Sequence, residues 1–82
     1  MNRKEIEEQY SDTELLFADG FDKAIIGVAR TFNKLAVCYD TNKCIEILMT
    51  RDKMSREEAV EYFEYNVTGS YMGQYTPSFI ER

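Results

Sequence analysis

An α+β fold is predicted by three features of the sequence. Asp19-Gly20 marks a turn ahead of two uncharged runs, the first of them β-branched; Ser55-Arg56-Glu57-Glu58 is a capping box; and a second amphipathic stripe follows Asp40-Thr41. Strand signals come first and helix signals follow, so the helices should pack on one face of an antiparallel sheet rather than alternate with strands. The expected architecture is a three- to four-stranded antiparallel sheet with two helices on one face and a short N-terminal helix. With 82 residues, all of it belongs to one small domain, 1–82.

Each element has a local reason. Residues 2–10 are rich in Glu and Lys, and Ile6 and Tyr10 stand four apart, which gives a short helix with one anchoring side. Glu14-Leu15-Leu16-Phe17-Ala18 reads as a first strand ahead of the Asp19-Gly20 turn. Ala24–Ala29 and Leu35–Tyr39 read as two further strands of a tight hairpin broken at Asn33-Lys34, and Gly27 marks a bulge or a place where a helix packs closely. Asp40 and Thr41 are good N-cap residues, and Cys44, Ile45, Leu48 and Met49 then fall on one stripe of a helix running to about Asp52. In the helix opened by Ser55, the apolar side is Ala59, Tyr62, Phe63, Asn66 and Val67, and Glu57, Glu61 and Glu64 line the opposite side. Gly69 is the natural stop, Pro77 breaks any later helix, and Phe79-Ile80 can add an edge strand.

Composition narrows the chemistry. Fifteen acidic against ten basic residues give a net charge of −5, which argues against a broad nucleic-acid surface, so no direct nucleic-acid binding is expected. There is no histidine, which removes the commonest general base and the commonest metal ligand. Cys38 and Cys44, spaced C-x5-C, cannot complete a zinc tetrad within one chain; two buried thiols in a reducing cytoplasm are expected, with a single disulfide between them as the alternative. No apolar run approaches the roughly 20 residues of a bilayer span, and the first residues have no export-type apolar core, so no membrane role is expected. Ordering this many residues, at roughly 1.5 kcal/mol each, is only narrowly offset by so small a core, which makes a homodimer or other homo-oligomer an expected state.

Several side-chain groups could carry function. Asp19, Asp22 and Asp40 are the carboxylates that a metal-dependent hydrolase would need, since hard cations want several oxygens at one point. Cys44 near a helix start could gain thiolate character from the dipole, but it has no histidine partner, and the core reading prevails. Asn66, Tyr62 and Asp40 are the polar residues that a small-ligand or nucleotide pocket between sheet and helices would use. Asn66 on an apolar helix side must find partners or cost about 1–3 kcal/mol. The Glu57, Glu61 and Glu64 ridge, with Tyr65, Tyr71 and Tyr75, suits a protein interface, because carboxylates steer a basic partner and tyrosines anchor it. No catalytic residue, metal site or cofactor is assigned, and contact with another molecule is the leading expectation.

The segments Ala18-Asp19-Gly20-Phe21-Asp22-Lys23-Ala24-Ile25-Ile26-Gly27-Val28, Tyr39-Asp40, Cys44-Ile45-Glu46-Ile47-Leu48-Met49 and Glu57–Val67 resemble a group of small uncharacterised bacteriophage and prophage proteins. The likeness spans Leu15 to Ile80. The chain departs from that group at Lys53, where Gly is expected in the turn between helices, and at Ser70 and Gln74, where Ala and Glu are usual. The resemblance implies a setting, a small accessory protein of a mobile element inside a bacterial cell. Within it, the leading expectation is binding and modulation of a host protein with a basic surface, as in counter-defence or inhibition of a nucleic-acid enzyme.

Overall fold

In the computed structural model, residues 2–32, 34–70 and 76–82 are described. Three helices and a three-stranded sheet form the domain: α1 (Arg3–Gln9), β1 (Ile25–Thr31), β2 (Lys34–Asp40), α2 (Thr41–Arg51), α3 (Arg56–Tyr62) and β3 (Ser78–Ile80). The fold is α+β. The sheet is mixed, in the order β1-β2-β3, with β1 antiparallel and β3 parallel to the central strand β2. An all-antiparallel sheet was the expectation, and the last strand departs from it. The chain leaves β2, passes through two helices and returns along the same direction, a connection long enough for parallel pairing.

The expected strand at Glu14–Ala18 is not formed among the described residues: this segment has no regular secondary structure. Its alternation is real, since Leu15 and Phe17 are half-buried while Glu14 and Leu16 are exposed. Side chains help to fasten it. The Ala18 N–H donates to Tyr39 Oη at 2.8 Å, inside the core. Arg3 lies over the Phe17 ring at 4.4 Å, and Arg51 over Phe21 at 5.5 Å. Arg51 Nη1 also donates to the Gly20 carbonyl at 2.8 Å. Gly20 has φ +92°, a backbone conformation that calls for glycine, and a Cβ there would lie 2.8 Å from Arg51 Nη1 and displace the guanidinium from its carbonyl contact.

The remaining elements follow local chemistry. Asn2 and Glu5 form a capping box on α1, Ser55 and Glu58 form another on α3, and Asp40 caps α2 by accepting from the Lys43 N–H. The β1–β2 register runs Ile25↔Tyr39 and then Gly27↔Cys38, which leaves Ile26 as the extra residue of a bulge. No atom lies within 4 Å of a Cβ built on Gly27, so the bulge and not a close helix is its context. Tyr39 and Phe79 face the helices with stacked rings 5.5 Å apart, and Phe63 meets Phe79 edge-on at 5.1 Å. Ile6, Val37, Tyr39, Cys44, Leu48 and Ala59 are fully buried around them.

Lys53 follows the C-cap of α2 with φ +54°, the left-handed position that glycine occupies at many helix ends. Lysine is strained there. Lys53→Gly is therefore expected to stabilise the domain by about 0.5–1 kcal/mol, the left-handed cost outweighing glycine's extra chain entropy. A thermal unfolding scan checks this, and a lower midpoint for the variant would refute it.

Candidate functional site

The helix that begins at Ser55 changes character at Phe63. Residues 63–67 form a π turn, in which the Thr68 N–H donates to the Phe63 carbonyl five residues back. The wider turn adds most of a residue to each revolution, so side chains beyond Phe63 lag behind their α-helical positions. Ala59, Phe63 and Val67 stay aligned and buried as a result. Asn66 is carried to the surface, and Tyr62 is 41% exposed. The predicted apolar side thus keeps three of its members and loses Tyr62 and Asn66.

The opposite side carries the acidic ridge to solvent. Glu57, Glu61, Glu64 and Tyr65 are exposed, and with Arg56 and Val60 they line one groove of about 700 Å³. Tyr65 is 75% exposed. Among the described residues, Glu57, Glu61 and Glu64 enter no ion pair. Glu58 stands apart from them, because its carboxylate accepts from the Ser55 N–H at 2.9 Å and is thereby held below the usual carboxylate range. Tyr71 and Tyr75 lie outside the described residues.

The ligand-binding trio does not converge. Tyr62 and Asn66 line a shallow groove with Met54, Glu58, Glu61 and Tyr65, and Asp40 is not part of it. Asp40 instead caps α2 and pairs with Arg82 Nε at 3.0 Å. The Lys43 N–H, followed by Arg82, holds its carboxyl below the ordinary range. The three aspartates do not converge either. Asp19 and Asp22 share Arg3, at 3.0 and 3.4 Å, and among the described residues no group of three or more acidic or cysteine side chains could hold a metal ion.

Both cysteines are buried free thiols. Burial, followed by the charge of Asp40, pushes the Cys44 thiol up to about 12. That is the opposite of activation by a helix start.

Phe32 is a feature that sequence reasoning missed. It forms the hairpin tip between Thr31 and Lys34, with φ +55° and a side chain 94% exposed. A left-handed conformation costs a non-glycine residue about 1–2 kcal/mol. Arg30 and Lys34 flank it, both exposed and, among the described residues, without an ion pair. The register sets Arg30 against Leu35 and Thr31 against Lys34, so the two cations project from opposite faces of the ribbon. A signal was present: a phenylalanine stands where a two-residue hairpin normally uses Asn, Asp or Gly.

Among the described residues, no helix is long and apolar enough to cross a membrane. No protein-family model, curated protein or solved structure matches the chain.

Proposed function

We propose that this chain is a small accessory protein of a phage or prophage that works in the bacterial cytoplasm by binding and modulating a host protein. The docking face is the acidic side of α3, and its partner presents a basic surface. Counter-defence, or inhibition of an enzyme that acts on nucleic acid, is the outcome that such a contact would produce. Neither catalysis nor a cofactor belongs to this reading.

One observation carries the proposal. Three carboxylates that enter no ion pair among the described residues, Glu57, Glu61 and Glu64, rim a groove, with Arg56 at one edge, beside a tyrosine that is three-quarters exposed. Glu57 in the first turn suits the helix dipole, but like charges at helical spacing weaken the helix that bears them, so folding gives no reason for Glu61 and Glu64 beside it. A basic partner would relieve the repulsion, and the carboxylates would speed its approach. Exposed tyrosine supplies contact area at low entropic cost.

The test compares the natural chain with a Glu57→Gln, Glu61→Gln, Glu64→Gln triple variant, each immobilised and challenged with bacterial lysate. At low salt the natural chain should retain a basic protein that the triple variant holds roughly ten-fold less well, and moderate salt should weaken the retention. Equal retention by both chains, with the variant's unfolding midpoint unchanged, would refute the acidic face as the docking site.

A further inference from the structure

We propose that the β1–β2 hairpin tip of one copy inserts into the acidic α3 groove of a second copy, giving head-to-tail self-association. Phe32 and Tyr65 are the two most exposed large hydrophobic side chains among the described residues. They occupy patches of opposite charge. Phe32 is flanked by Arg30 and Lys34, while Tyr65 shares its groove with Glu57, Glu61 and Glu64.

Neither the turn nor the core accounts for Phe32. Its backbone is in a region that disfavours a ring-bearing residue, and the ring touches almost nothing in its own chain. A side chain that violates the local rule and gains no packing for it is suited to contact outside the chain. The groove supplies what the tip lacks: an apolar floor at Val60, an exposed ring at Tyr65, and carboxylates placed to meet two cations. Both copies carry a net charge of −5, so the attraction is local: the cations beside Phe32 meet the carboxylates of the groove, which this chain itself provides.

The contact is heterologous, because tip and groove are different surfaces. Each added copy leaves one tip and one groove free, so assembly grows into short chains or closes into a ring. The receiving face is the one read above as the docking site, but the inference stands on the tip, and the two can fail separately.

Sedimentation of the purified chain from micromolar to millimolar concentration tests it. The natural chain should associate beyond the dimer, and the association should weaken as salt is raised. Phe32→Asn removes the ring while fitting the left-handed turn better, so its loss of association cannot be blamed on misfolding. It and the Glu57→Gln, Glu61→Gln, Glu64→Gln triple variant should each self-associate roughly ten-fold more weakly. Mixed one to one, these two variants restore a single working contact and should stop at a heterodimer. A natural chain that stays monomeric throughout, a Phe32→Asn variant that associates as the natural chain does, or a mixture that forms no heterodimer would each overturn the inference. If self-association fails while lysate capture still depends on the three glutamates, only this inference falls; the reverse result removes the host-partner reading instead.

Discussion

Tyr39→Ala is expected to remove about 3–5 kcal/mol of stability, the range for deleting a large buried aromatic side chain. A domain of this size has roughly 5–15 kcal/mol in total, so the variant should be largely unfolded in mild denaturant. Tyr39 is wholly buried on the central strand, and its ring stacks on Phe79, which in turn meets Phe63. Its hydroxyl accepts the Ala18 N–H and so fastens the segment between α1 and β1, which forms no strand among the described residues. Tyr39→Phe separates the two roles. It keeps the ring and leaves the buried Ala18 donor without that acceptor, at a cost of about 1–3 kcal/mol. Urea midpoints of the three proteins measure both effects. A Tyr39→Phe variant as stable as the natural chain would mean that the hydroxyl does not hold the segment.

The same segment marks the boundary between what local sequence determines and what it leaves open. Caps at Asp40 and Ser55, the bulge at Gly27 and the stripe of Cys44, Ile45 and Leu48 are all written within a few residues, and the structure contains each of them. Pairing is different in kind. Leu15 and Phe17 alternate with Glu14 and Leu16 as a strand would, yet whether an extended segment gains a partner depends on which edge is free after the rest has folded. The direction of β3 is likewise set by the path through α2 and α3 and not by Ser78–Ile80 themselves. At the candidate sites, Glu57 and Glu61 were legible because α-helical spacing holds up to Tyr62, and Glu64, only one residue into the π turn, is still exposed. Asn66 was misplaced because the π turn at Phe63 shifts every side chain beyond it. Phe32 is not legible as a tip because the apolar runs, Ala24–Ala29 and Leu35–Tyr39, stop short of it, whereas β1 continues to Thr31 and sets the ring at the end of the ribbon.

Alkaline pH should destabilise the domain through Cys44. In the unfolded chain this thiol titrates at about 8.5, and in the folded chain burial and the nearby Asp40 charge push it up to about 12. Below the unfolded value both states are protonated, and the stability is fully present. Between the two values the unfolded chain gives up its proton while the folded chain keeps it, so stability falls as pH rises, by roughly 1.4 kcal/mol for each pH unit. Cys38, also raised by burial, adds a slope of the same sign. Asp40 has the opposite sign: its carboxyl is held low by the Lys43 N–H and Arg82, so its contribution is present above the ordinary carboxylate range and is lost as pH falls. The domain should therefore be most stable between these limits, near neutrality. Cys44→Ala removes the steeper alkaline component and opens a small void. Its urea midpoint should lie below that of the natural chain at pH 7.5, and the gap should narrow or reverse by pH 10. Parallel losses in the two proteins across that interval would show that Cys44 does not set the alkaline limit, and with it that the thiol is not held protonated in the core.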